Sequence, residues 1–140
     1  MQLNFIANTA LASTSGRTLA VIDPSDGQPF DTLQRSNAQD IDHAVHAARQ
    51  CLDAVWHKLA AAERGRLLMR LSATVLQHAD ELAALEQRDC GKPTRQARAD
   101  VQALARYFEF YAGACDKLHG ETIPGPPGYS VLTWREPHGV

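Results

Sequence analysis

Three cysteines are the residues of this chain with the clearest potential for nucleophilic chemistry. Cys51 and Cys115 fall on predicted apolar helical faces, which favours small buried side chains over reactive thiols. Cys90 stands close to Lys92 and a predicted helix start, which would favour a thiolate, whereas neighbouring Asp89 would oppose it. No general base accompanies any of the three thiols, so we expect no catalytic residue among them.

Two histidines have a spacing that can hold a metal ion. His43 and His46 are three residues apart and share one face of a predicted helix. Arg49 and Gln50, rather than a third ligand, stand at the next turn. We therefore favour a solvated helix face, and an independent helical metal-binding domain is the alternative.

Glycine positions do not predict a nucleotide site. Neither a Gly-x-Gly-x-x-Gly pattern nor a phosphate-binding loop occurs. Gly125 and Gly128 lie among prolines, where they suit a turn. These residues alone predict neither a cofactor-binding site nor a catalytic site.

The composition is that of a soluble globular protein, with 44% hydrophobic and 21% charged residues. A net charge of −2 without any basic run argues against nucleic acid or an anionic membrane as a partner. No apolar stretch reaches the roughly 18–20 residues that cross a bilayer, and residues 1–8 lack the features of a signal peptide. Three widely spaced cysteines favour reduced thiols, so we expect a cytoplasmic protein.

The predicted elements follow one another in a simple order. Residues 1–16 are expected to be a flexible arm, and residues 17–35 a β-hairpin that turns at Pro24 and Gly27. Four helices are predicted over residues 37–119, the first with Ser36 and Gln39 as a capping box and the last closed by Gly120. A Pro/Gly loop follows over residues 120–128 and a strand arm over residues 129–140.

The apolar patterns predict an incomplete structure. Each long helix carries an apolar stripe that a chain of this size would bury only in part. A closing strand without a partner in the sequence implies a sheet supplied by other polypeptide. We therefore expect a mainly α-helical piece with an N-terminal β-hairpin and a C-terminal strand arm.

Several short segments, in order, resemble the N-terminal part of the aldehyde dehydrogenase superfamily. The resemblance covers about residues 17–140 and departs from the family at Cys90, where threonine is usual. The matching segments are Ile22-Asp-Pro-Ser-Asp-Gly27, Ala44-Val-His-Ala-Ala-Arg49 with Trp56, Glu63-Arg64, Glu81-Leu82, Asp89-Cys-Gly-Lys-Pro93, Tyr107 to Gly113, Asp116-Lys117, Gly120-Glu121, Ile123-Pro124 and Arg135-Glu-Pro-His-Gly-Val140.

The resemblance implies an α/β fold that is Rossmann-type when intact. Intact members use NAD or NADP, and a cysteine thiolate adds to the aldehyde before hydride transfer and hydrolysis to the acid. The residues for these steps would follow Val140, so this chain alone is expected to be inactive. The resemblance also implies a homo-oligomer when intact, with residues 129–136 in the arm that joins subunits.

Two sites can be transferred from the family to particular residues. Some members bind a structural monovalent cation, and the matching ligands are the backbone carbonyls of Val21 and Ile22 with the carboxylate of Asp89. Along the fourth helix, Ala99, Ala103 and Tyr107 would face the entrance for the aldehyde. The alternative function is a non-catalytic helical module that pairs with an intact homologue or a complementary fragment.

Overall fold

A computed structural model describes all of residues 1–140 as four helices and three antiparallel strand pairs. This confirms the predicted mainly helical fold class. In chain order the elements are β1 (Asn4–Ile6), β2 (Thr9–Leu11), β3 (Thr18–Ile22), β4 (Pro29–Gln34), α1 (Ala38–Ala54), a 3₁₀ turn (Trp56–Lys58), α2 (Ala61–Gln77), α3 (Ala79–Cys90), α4 (Thr94–Ala114), β5 (Thr122–Ile123) and β6 (Val131–Leu132).

The β3–β4 hairpin lies where the sequence predicts one. The Asp23 carboxylate accepts the Ser25 amide at 2.8 Å, and Gly27 adopts a positive φ of 70° that favours glycine. The Ser25 hydrogen bonds hold the pKa of Asp23 below its usual range. The pairing register shifts between Val21 and Ile22, as in a β-bulge.

The first helix begins one residue later than predicted. Asn37, not Ser36, is the N-cap: its side chain accepts the Asp40 amide at 3.1 Å, and the Asp40 carboxylate accepts the Asn37 amide at 2.9 Å. The helix dipole favours the charged carboxylate of Asp40 near the helix N-terminus, and it would not favour the neutral Gln39 in the same way. Ser36 instead donates to the Asn4 side chain.

Residues 1–16 differ from the predicted flexible arm. They form the β1–β2 hairpin, whose turn places Ala7 and Asn8 at positive φ. Ile6 is buried, and the Ser13 hydroxyl donates to the buried Asp40 carboxylate at 2.6 Å. The partners are 27 residues apart, so the local pattern of the arm could not show this contact.

The small hydrophobic core lies where α4 packs against α2 and α3. Its five buried residues are all alanine or valine: Val75, Ala83, Ala97, Val101 and Ala105. The Ser72 hydroxyl of α2 donates to the Ala105 carbonyl of α4 at 2.8 Å, which satisfies a buried polar group. Because these side chains are small, the backbones of α2, α3 and α4 can approach one another closely.

The α3–α4 junction is fixed by a glycine and a lysine. Gly91 ends α3 in the left-handed conformation, with a φ of 66°. Lys92 then pairs with Asp100 at 2.7 Å and with Glu86, and these two carboxylates raise the pKa of Lys92. The lysine therefore joins the end of α3 to the first turns of α4.

The C-terminal part differs from the prediction in two ways. The fourth helix ends at Ala114 rather than near Gly120, and a turn with a Lys117–Ala114 backbone hydrogen bond follows. The predicted lone strand is paired in part, because β6 forms a two-residue ladder with β5, inside the predicted loop. All side chains from residue 116 to 140 are exposed, so this ribbon contributes nothing to the core.

Candidate functional site

The thiols and imidazoles of the chain do not converge. Cys90 and Cys51 are exposed, which corrects the expectation that Cys51 is a buried apolar side chain. Cys115 is half-buried at the end of α4, where its thiol contacts the Tyr111 carbonyl at 3.2 Å. The one hydrogen bond of the His46 ring is with Gln50, and no group of three or more His, Cys, Asp or Glu side chains has metal-binding geometry.

The three residues transferred as cation ligands lie on the β3–β4 hairpin and on α3, which contact each other through the hairpin turn and β4. Val21 and Ile22 stand where the β3–β4 register shifts, opposite the additional residue Phe30 of β4, so the ladder is locally interrupted beside them. Asp89 is in the last turn of α3, with its carboxylate exposed beside Cys90.

Arg88 and Gly91 hold these two elements together. The Arg88 guanidinium lies 3.7 Å from the Asp23 carboxylate and 4.5 Å from the centre of the Phe30 ring. A Cβ atom at Gly91 would lie only 2.9 Å from Pro24, so the hairpin turn rests directly on the end of α3. The sequence reasoning missed this clamp. No local pattern indicates it, because Asp23 and Arg88 lie far apart in the sequence.

The outer face of α4 carries an open aromatic groove. Its volume is about 420 Å³, and its lining residues are Ala103, Arg106, Tyr107, Phe110 and Tyr111. Phe110 and Tyr111 pack edge to face with ring centres 5.2 Å apart. Two of the three residues expected to face an aldehyde entrance, Ala103 and Tyr107, therefore line one groove, and Ala99 is exposed on the same helix.

The accessible surface is large for the mass. A compact monomer of 15.3 kDa would expose roughly 7,100 Å². This chain exposes 10844 Å², and only 10 of its 140 residues are buried.

Much of the additional surface is apolar. Ile41 and Val55 of the first helical segment are each 57% exposed, and Phe110 of α4 is 68% exposed. So many exposed large apolar side chains are typical of surfaces that pack against other polypeptide. No helix in the chain has the length and apolar character that crossing a membrane requires.

Comparison with known proteins identifies the type of structure. A Burkholderia cenocepacia protein, assigned as an aldehyde dehydrogenase in its structure description, superposes with a TM-score of 0.95 at 60% identity, over 98% of this chain and 29% of its own. Betaine aldehyde dehydrogenase from Staphylococcus aureus, solved in complex with NAD+, gives a TM-score of 0.86 at 27% identity, over 91% of this chain and 26% of its own.

Sequence relatives agree with the structural ones. Aldehyde dehydrogenase family 2 member B4, a mitochondrial protein of Arabidopsis thaliana, is 44% identical over 130 residues, which is 91% of this chain and 24% of that protein. The chain thus spans about a quarter of the length of the curated relatives it matches. The family model named aldehyde dehydrogenase family matches residues 11–140, and the chain belongs to that family.

Proposed function

We propose that these residues form the N-terminal helical layer of an NAD(P)-dependent aldehyde dehydrogenase, and that the whole protein oxidises an aldehyde to a carboxylic acid. The family match over residues 11–140 is the observation that carries this proposal. The chemistry would come from a cysteine thiolate and a nicotinamide cofactor, as in family members generally. The cofactor of the whole protein is NAD or NADP.

The 140 residues described here do not themselves fit a nicotinamide cofactor. No glycine-rich turn joins a strand to a helix N-terminus, which is the arrangement that cradles a pyrophosphate. None of the three thiols has a basic partner in the structure. We therefore derive no catalytic step from these residues and propose that their role is to position the fold.

The free 140-residue chain should have no dehydrogenase activity. Purified chain mixed with NAD or NADP and a panel of aliphatic and aromatic aldehydes should produce no reduced cofactor, measured by its absorbance. The control is the full-length Staphylococcus aureus betaine aldehyde dehydrogenase under the same conditions with betaine aldehyde. Cofactor reduction by the chain that scales with its concentration would refute the proposal.

The second candidate function is a non-catalytic module that pairs with an intact homologue or a complementary fragment. The large exposed surface supports it, because the accessible surface exceeds the roughly 7,100 Å² of a compact chain by far more than the roughly 800 Å² that each partner buries in a standard interface. Size-exclusion chromatography of the chain, alone and mixed with an intact homologue, separates the two functions. A monodisperse chain that co-elutes with the homologue favours the pairing module, and a chain that self-associates and does not co-elute favours the N-terminal layer.

The remaining partners and the compartment follow from the same proposal. The groove on α4 would lie beside the route of a small aldehyde, and the exposed residues 129–136 would join subunits of a homo-oligomer. A net charge of −2 gives no reason to add nucleic acid or a membrane. Three free cysteines support a reducing compartment, and we propose the cytoplasm.

We also propose a structural monovalent cation bound by Val21, Ile22 and Asp89. Carbonyl and carboxylate oxygens suit a hard cation, and the Arg88–Asp23 contact holds the two elements together. Adding K⁺ at constant ionic strength should raise the unfolding temperature of the chain and of an Asp26→Asn control. The same increase in an Asp89→Asn variant would exclude Asp89 as a ligand.

A further inference from the structure

The N-terminal segment is attached to β4 by backbone pairing. Gln2 forms a parallel bridge with Leu33: its amide donates to the Thr32 carbonyl at 2.7 Å, and its carbonyl accepts the Gln34 amide at 3.2 Å. The edge of β4 is therefore occupied by a segment from the N-terminus of the same chain. An edge with these groups free would be a template for strand addition.

Side chains at both ends of the segment reinforce this pairing. Asp31 of β4 accepts the Met1 amino group at 2.8 Å and the Gln2 side chain at 2.7 Å, and both bonds lower the pKa of Asp31. At the other end, the Ser13 amide donates to the Gln34 side chain at 2.9 Å. Residues 1–14, which we call the N-terminal strap, thus contact β4 at their start and at their end.

Asp40 is the one buried charge that holds the strap. It is 6% exposed and accepts the Ser13 hydroxyl at 2.6 Å, with the Thr14 amide and hydroxyl each at 3.0 Å. It also accepts the Asn37 amide of its own helix cap. These four bonds hold the pKa of Asp40 below its usual range.

Apolar contacts hold the strap only weakly. Ile6 is its one buried large apolar residue, whereas Met1 is 68% and Phe5 is 72% exposed. A segment attached mainly by polar groups opens when a few hydrogen bonds are lost. The core between α2, α3 and α4 shares none of the strap's hydrogen bonds, so we expect it to stay folded when the strap opens.

We propose that the strap is a releasable strand that covers the edge of β4, and that Asp40 is the clasp that keeps it closed. Opening the clasp frees the Thr32 carbonyl and the Gln34 amide of β4, while α2, α3 and α4 stay folded. This inference is independent of aldehyde oxidation, because it concerns only contacts within residues 1–40.

Amide hydrogen exchange of the 140-residue chain, resolved by NMR, tests the clasp. In Asp40→Asn, the Thr14 and Gln34 amides should exchange roughly tenfold faster or more, as expected when hydrogen bonds to a charged group are weakened. Amides of α2, α3 and α4 should keep their wild-type protection. Asp42→Asn, an exposed position on the same helix, should leave all of these rates unchanged.

A second variant separates the clasp from the helix cap. The double change Ser13→Ala and Thr14→Val removes the two hydroxyl donors of the strap, leaves the Thr14 amide and keeps the Asn37–Asp40 cap, so Gln34 should lose protection while the Asp40 amide keeps it. Unchanged Gln34 protection in both variants would overturn the proposal. Parallel loss of protection in α2, α3 and α4, or a wild-type chain without protection at Gln34, would also overturn it.

Discussion

Replacing Gly65 with alanine should destabilise the helical layer, although alanine is the better helix former. A Cβ atom at this position of α2 would lie 2.6 Å from the Ala112 carbonyl oxygen and 3.7 Å from the Cys115 Cβ. The first contact is with backbone, so α4 must move away as a unit. Overpacking of this kind costs about 1–3 kcal/mol, which outweighs the ~0.8–1.0 kcal/mol gain in helix propensity.

Gly113 provides the matched control for this substitution. It lies in α4 near the same interface, but a Cβ atom there would meet nothing within 4 Å. Gly113→Ala should therefore raise the free energy of unfolding, by at most about 0.8–1.0 kcal/mol because the residue stands in the last turn of α4. Urea unfolding followed by far-UV circular dichroism measures both variants, and equal stabilisation by the two would show that α2 and α4 do not approach as described.

A leucine at Ala97 should have a similarly large effect. Ala97 is 0% exposed in the core of α4, beside Val101 and the α3 residue Ala83. Three additional carbon atoms have no space there unless α3 and α4 separate. We expect a loss of about 1–3 kcal/mol in the free energy of unfolding, or more, because the neighbouring positions are equally filled.

Ala99 lies two residues further along α4 and is exposed, so Ala99→Leu is the control for the change at Ala97. In the 140-residue chain this surface change should alter the free energy of unfolding by no more than about 0.5 kcal/mol. The same urea experiment compares the two variants. A large loss for Ala99→Leu with none for Ala97→Leu would mean that the buried face of α4 is assigned incorrectly.

Local signals were sufficient to predict much of the fold. The β3–β4 hairpin follows from Pro24 and Gly27, and the end of α3 follows from Gly91. Proline narrows the range of φ at its own position, and glycine adds the positive φ values that other residues avoid. The predicted start of α1 was one residue too early. Ser36–Gln39 and Asn37–Asp40 have the same capping-box spacing, and only the charge of Asp40 distinguishes them.

Contacts between distant residues were beyond the reach of local patterns. The strap depends on Asp40 meeting Ser13 and Thr14, which lie 27 and 26 positions earlier in the chain. The clamp between Asp23 and Arg88 likewise joins a turn to a helix end. Neither pair repeats at a helical or strand period, so hydrophobic periodicity carries no information about them.

The candidate site could be predicted only through family resemblance. Nothing in the types of Val21, Ile22 or Ala103 indicates a ligand or a substrate route, since such residues occur in most cores and strands. The structure adds the register shift beside Val21 and Ile22 and the groove that contains Ala103 and Tyr107. Ligation by these residues and their contact with an aldehyde remain proposals.

An exchange of segments tests most directly whether these residues are the N-terminal layer of an aldehyde dehydrogenase. In the Burkholderia cenocepacia protein, the segment that matches this chain would be replaced by the present sequence. That segment is 29% of the protein, and it is 60% identical to this chain over 98% of the chain's length. We predict a hybrid that folds cooperatively and oxidises, with NAD or NADP, an aldehyde that the unaltered protein oxidises, at a comparable rate. A hybrid that folds but has lost this activity, or one that does not fold, would contradict the account.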